Sequence, residues 1–257
     1  MTPRKLFILL SAALATLACT NPNQPKDAMP DEHPQETNKL AGDSLLYGMA
    51  CEGTSDSVLV FLANDGSDPV TYDMLQARLE RRVRGRVQTG DNIALLLTDD
   101  SLPAVEYLID IDQLKGQWAY LVMPQLKERF RNMPVTKDSP SQAVRDSMLR
   151  KFMVPREYGM RLMRDYSVER IGNSQRRQNA DNTPVEYPRQ PRYTEWHLWN
   201  GKIIFTAGNI NIPNISDRYK HEVTYDTAEI VMLRRDSLQL RFGDELRCYY
   251  RKKNENK

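Results

Sequence analysis

Few residues in this chain have both the type and the spacing that chemistry requires. The nearest to paired carboxylates are Asp99-Asp100 and Asp110 with Asp112. General acid–base work needs two carboxyl groups facing one gap. Adjacent strand residues point to opposite faces, so Asp99-Asp100 reads as a solvated turn. Asp110 and Asp112 alternate with Ile109 and Ile111, the spacing of an outward strand face. His197 stands between Trp196 and Leu198 and faces either solvent or an interior, and no serine or cysteine can be tied to it as a nucleophile. The three histidines are His33, His197 and His221, and the three cysteines are Cys19, Cys51 and Cys248. None of them forms a pair with the short spacing of a zinc site. The expectation is a protein that is not an enzyme, with no cofactor and no metal.

The N-terminus says more. Arg4 and Lys5 precede an apolar run from Leu6 to Ala18 that contains no acidic residue. The run is shorter than the roughly 20 residues that cross a bilayer. A basic start, a short apolar core and small residues before a cut site make a secretory signal. Thr16-Leu17-Ala18-Cys19 resembles a lipobox, the motif cut before a lipidated cysteine, with Leu17 one residue later than usual. The resemblance implies a signal peptide over residues 1–18, lipidation (palmitate) at Cys19 and a membrane partner held through that anchor. The expected address is the bacterial cell envelope, at the outer membrane, with the facing side left open. Residues 19–41 are rich in Pro, Asn, Gln, Asp and Glu, a composition too polar to offset ordering entropy, and so read as a flexible tether.

Losing residues 1–18 removes two positive charges and no negative ones, so the net charge of +2 falls to zero. A neutral body argues against nucleic acid, or an anionic membrane surface, as the main partner. The arginine-rich run Arg78 to Arg86 alternates at Val83-Arg84-Gly85-Arg86-Val87, as a strand does when its arginines face water. An exported compartment permits a disulfide, and whether Cys51 and Cys248 form one stays open.

The elements of the body are mainly β. A small barrel or sandwich is expected over residues 42–112, weakly similar to the oligonucleotide/oligosaccharide-binding fold. Ser57 to Leu62 is its first clear strand, Tyr72 to Arg82 is helix or strand, and Val105 to Ile111 is its last strand. Gly85 to Val87, the turn Thr89-Gly90-Asp91 and Ile93 to Leu97 look like a hairpin. Residues 113–257 then read as an antiparallel barrel with one helix. Ser139-Pro140-Ser141-Gln142 opens the helix and Pro155 stops it. Met160, Leu162 and Tyr166 belong to one strand region. Asn200-Gly201, Arg235-Asp236 and Gly243-Asp244 mark hairpins of an up-and-down meander.

Gly116-Gln117-Trp118 at the first strand of that meander, with an arginine in the last, resembles the lipocalin and wider calycin group, and in particular the lipocalin-like lipoproteins of the Bacteroidota. The resemblance implies that Gly116 and Trp118 close one end of the barrel beneath Arg251 or Arg247, by a cation–π contact. It covers residues 113–257 only. The early helix departs from the family pattern, and Val223-Thr224-Tyr225-Asp226 matches its second motif loosely. Trp196, Trp199 and Tyr249 are candidates to line a cavity. Two functions follow as expectations. One is a binding module for a small, partly apolar ligand; the other is an accessory or interaction subunit with a packed barrel. A cavity separates them.

Overall fold

The computed structural model describes residues 39–99, 102–131, 146–147, 149–172, 183–208 and 223–253. The signal peptide, Cys19, the tether as far as residue 38, most of the helix expected from Ser139, Asp100, His33 and His221 lie outside them.

The first sheet has six strands: β1 (Leu46–Ala50), β2 (Val58–Ala63), β3 (Val70–Asp73), β4 (Val83–Arg84), β5 (Asn92–Leu97) and β6 (Val105–Asp110). Their order is β3-β2-β1-β5-β6-β4, antiparallel except where β4 meets β6. Between β3 and β4 the chain forms a short helix, α1 (Leu75–Leu79). Asp73 accepts a hydrogen bond from the Leu75 amide at 2.8 Å as it begins. Ala77 and the preceding Met74 are buried against Leu59, Phe61, Ile93, Leu95 and Leu108.

The expected hairpin of Gly85–Val87 with Ile93–Leu97 does not form. Val83 and Arg84 run parallel to Leu108 and Ile109, and β5 pairs instead with β1 and β6. The backbone after Arg84 turns away because the Arg86 amide donates to the Gln113 side chain at 2.9 Å. Arg84 is not a solvated strand residue either; it is half-buried, its guanidinium 5.6 Å from the Tyr107 ring centroid.

From β6 the chain enters α2 (Ile111–Leu114), then β7 (Gly116–Val122), β8 (Gln125–Leu126) and α3 (Glu128–Arg131). There follow β9 (Arg156–Leu162), β10 (Val168–Gly172), β11 (Val185–Glu186), β12 (Tyr193–Trp199), β13 (Lys202–Ala207), β14 (Thr224–Leu233), β15 (Ser237–Phe242) and β16 (Glu245–Arg251). Eight of them form a second sheet, ordered β10-β9-β7-β16-β15-β14-β13-β12 and antiparallel throughout. The protein is thus mainly β, and this sheet is a nearly closed eight-stranded barrel, compatible with a lipocalin-like fold. The turn chemistry behind it is local: Asn200 and Gly201 both adopt positive φ, as a two-residue hairpin demands.

Closure of the barrel falls between β10 and β12. A single bridge, Ser167 to Glu195, joins them, and the Trp196 amide donates to the Tyr166 carbonyl at 2.8 Å. Tyr166 does not continue a strand as expected; it sits in the β9–β10 turn with φ of 62°. Its ring lies 5.1 Å from Trp196 and stacks on His197 at 5.7 Å.

Strand direction gives the barrel two ends. The start of β7, the ends of β9 and β16 and the β12–β13 turn share one end, called the floor; the opposite end is the mouth. One apolar cluster runs through the floor: Leu45, Ala94, Ile109, Ile111 and Leu114 from the first sheet and α2 meet Trp118, Leu198, Ile203 and Leu233 of the barrel. Burying each such side chain contributes about 1.5–3 kcal/mol. The first sheet therefore packs across the barrel floor.

Candidate functional site

Three places in the molecule combine burial, charge and convergence of distant segments: the floor lock, the barrel interior and a pair of charged basins beside the floor.

Trp118 is fully buried, and its indole Nε1 donates to the Leu114 carbonyl at 2.7 Å. Above it lies Arg251, with Cζ 4.1 Å from the ring centroid. The register of β16 against β7, which places Arg251 opposite Trp118, brings the two together. The guanidinium also donates to three backbone carbonyls: Lys115 at 2.9 Å, Arg235 at 2.6 Å and Gln113. Gly116 permits this approach, because a Cβ there would stand 2.5 Å from Arg251 Nη1, and its φ is +121°. Arg247, four residues earlier on the same strand, instead lies over Phe242 at 4.4 Å and holds Glu245 with two hydrogen bonds of 2.7 and 2.8 Å.

Beside the lock is Asp110. It does not face outward, as strand alternation suggested, because the strand ends there and α2 begins. Its carboxylate caps α2 by accepting from the Gln113 amide at 2.7 Å, and the residue is 2% exposed. Burial pushes its pKa up to about 7. Asp112 does lie toward solvent, held by the Asn92 amide at 2.8 Å and by Lys115 at 3.0 Å. The two carboxylates thus have separate partners, though both border one open basin.

The barrel interior is occupied by its own side chains. Trp118, Trp196, Phe205, Ile203, Ile230, Leu238 and Leu240 are buried within it. Toward the mouth a cavity of about 20 Å³ remains among Tyr120, Met160, Val168, Arg170, Tyr193, Arg247 and Tyr249. Tyr249 borders this cavity. Trp196 does not; it packs on Tyr166 and donates to the Met163 carbonyl at 3.2 Å. Trp199 lies at the floor, where its indole donates to the Ala41 carbonyl at 3.4 Å. Burial raises the pKa of Tyr249 and Tyr193, the latter helped by its hydrogen bond to Asp226, so both phenols stay neutral.

The start of the folded body is clasped to the same floor. Asp43 accepts from the Leu45 and Asn200 amides at 3.2 and 2.9 Å and from the Tyr47 hydroxyl at 2.6 Å. The Ser44 amide donates back to the Asn200 side chain at 2.8 Å. No sequence signal links residues so far apart, and sequence reasoning missed this contact.

Two open basins of about 1050 and 610 Å³ adjoin the floor and share Asp91 and Asp112. The larger carries Lys115, Arg161, Arg164, Lys252 and Lys253, and the smaller Arg86, Arg235 and Arg251 beside Asp110. Sequence reasoning missed them too, because their charges come from six separate stretches of chain. Cys51 and Cys248 are free thiols. Among the described residues no cluster of His, Cys, Asp or Glu could hold a metal ion, and no helix is long and apolar enough to cross a membrane. Compared with known proteins, the chain matches no family model, no curated protein and no solved structure at a significant level.

Proposed function

We propose that this chain is a bacterial envelope lipoprotein of the lipocalin-like kind, anchored through a lipidated Cys19, and that its body is a non-enzymatic accessory or interaction subunit working through its surface. The observation that carries the choice is the filled barrel. Ligand pockets occupy about 300–1,000 Å³, whereas the cavity that the described residues enclose toward the mouth holds about 20 Å³, room for roughly one water. The outer face supports the same reading. Leu121 on β7, Met123 just after it and Leu246 on the neighbouring β16 are 62%, 52% and 47% exposed, which leaves apolar side chains on the outer face for a partner to cover. The signal-like run ending at Cys19 supports the anchor, and the Gly116, Trp118 and Arg251 lock supports the lipocalin likeness.

The second reading, a small and partly apolar ligand in the barrel, draws on the mouth. Arg170 and Arg247 border the cavity there among Tyr120, Tyr193 and Tyr249, the lining an amphiphile with an anionic end would meet. Titration with 1-aminoanthracene decides between them. A packed barrel gives no saturable fluorescence change; saturable binding that Arg247→Leu abolishes would replace the accessory reading with the ligand one. The anchor is tested by metabolic labelling with radioactive palmitate. Label should enter the wild type and vanish in Cys19→Ala, and a wild type without label would end the lipoprotein reading.

A further inference from the structure

The neutral body carries its charge unevenly. Five cations around the larger floor basin and three around the smaller make eight, against the three carboxylates Asp91, Asp110 and Asp112. Asp110 is buried, and Asp112 is already held by Lys115. Arg161 and Lys252 pair outside the basins, with Glu169 at 2.9 Å and Glu157 at 2.6 Å. Arg86, Arg164, Arg235 and Lys253 are exposed, and among the described residues none has a carboxylate within ion-pair distance. These four come from β4's trailing loop, the β9–β10 turn, the β14–β15 turn and the end of β16, and the fold gathers them at one end of the barrel. That same end receives the chain from its N-terminal side, since Asp43 is clasped to Asn200 there.

We propose that the two charged basins beside the floor form a docking surface for the phosphate headgroups of an anionic phospholipid bilayer, holding the body against the membrane that carries the anchor. The choice of a membrane over a soluble anion rests on the lipoprotein reading; the charge complementarity does not. Each lysine or arginine near an anionic bilayer contributes enough that removing two weakens binding by about 30-fold. Most of that attraction is screened at high ionic strength.

The test uses the mature chain from residue 20, which lacks both the apolar run and the acylated cysteine, so its outcome is independent of whether the wild type is acylated. Vesicles of phosphatidylglycerol mixed with phosphatidylcholine are sedimented with the protein, beside vesicles of phosphatidylcholine alone. Binding should require phosphatidylglycerol and decline with added salt. Arg164→Glu with Lys253→Glu should lower it by at least about 30-fold. Arg189→Glu with Arg192→Glu, an equal charge change near the mouth-side start of β12, should leave it within a few-fold of the parent. Circular dichroism confirms that both doubly substituted proteins are folded. Failure of the parent to bind, or equal losses in the two variants, overturns the proposal. So does loss of vesicle binding in pyrophosphate compared with chloride at equal ionic strength, which would make the floor a site for a soluble anion.

Discussion

Replacing Arg251 tests the floor lock directly. Arg251→Met keeps most of the aliphatic stem but deletes the charge, the cation–π contact with Trp118 and the bonds to the Gln113, Lys115 and Arg235 carbonyls. Hydrogen bonds of this sort contribute about 0.5–1.5 kcal/mol each. The ring contact adds about 1 kcal/mol in a partly desolvated place. Burial itself lowers the arginine's pKa, so the charged form sits there at some cost, which methionine relieves. The balance is a loss of about 2–4 kcal/mol. Arg251→Lys should fall in between, because a single ammonium cannot reach three carbonyls in three directions. Urea unfolding followed by far-UV circular dichroism measures the losses, provided the slope with denaturant stays constant. A double-mutant cycle with Trp118→Leu, which removes the aromatic face, isolates the ring contact, with a coupling of about 1 kcal/mol. If Arg251→Met costs less than about 0.5 kcal/mol, or if lysine serves as well as arginine, the idea that one guanidinium ties α2, the β14–β15 turn and Trp118 together is wrong.

Other expectations follow from the same geometry. Trp118→Ala removes a fully buried indole and should cost about 3–5 kcal/mol in the same urea assay. Asp110 titrates near 7 in the folded protein against about 3.9 unfolded, so its neutral form favours the fold and stability contributed at low pH is lost as pH rises from 4 through 7. Asp110→Asn keeps the acceptor for the Gln113 amide; unfolding measured from pH 4 to 8 should show a flatter profile and, above pH 7, a gain of at most about 4 kcal/mol. Asp43→Ala breaks three hydrogen bonds of the clasp and should cost about 2–3 kcal/mol. Hydrogen exchange at the Leu45 and Asn200 amides should speed up with it.

What could be read from the sequence was whatever a short stretch of chain determines alone. Asn200-Gly201 turns β12 into β13, and Arg235-Asp236 and Gly243-Asp244 mark the turns into β15 and β16, because each needs only its own residues. The hairpin assigned to Gly85–Leu97 went wrong where a local signal competed with a distant one. Val83 and Arg84 find a parallel partner in β6, and parallel pairing leaves no turn to recognise. Asp110 was misjudged because alternation was extended past the point where the strand becomes a helix. Gly116-Gln117-Trp118 is a pattern within three residues, yet that Arg251 and not Arg247 lies over the ring depends on the register of β16 against β7. The floor basins had no sequence signature at all, since the chain as a whole is neutral after residue 18 and only folding sorts its charges.

The floor lock also sets the order in which this molecule can be finished. Asn200 lies 157 residues beyond Asp43, and Arg251 lies 136 beyond Lys115. Closing loops of that length is slow, and topologies dominated by such contacts fold late and cooperatively. The first sheet has its own apolar cluster from Leu59, Phe61, Ile93, Leu95 and Leu108, all within one stretch of chain, and can gather early. The barrel cannot. Its first strand, β7, waits for its last, β16, before Trp118 is covered from above. A polypeptide emerging from a ribosome, or threading through a membrane pore with its N-terminus ahead, therefore keeps most of its length unlocked until the final strand arrives. Strands synthesised in the middle remain exposed in the meantime, so the vulnerable interval for aggregation or proteolysis is the time taken to deliver β14 through β16. Speeding the arrival of that last segment, rather than strengthening any contact already formed, is what would shorten it.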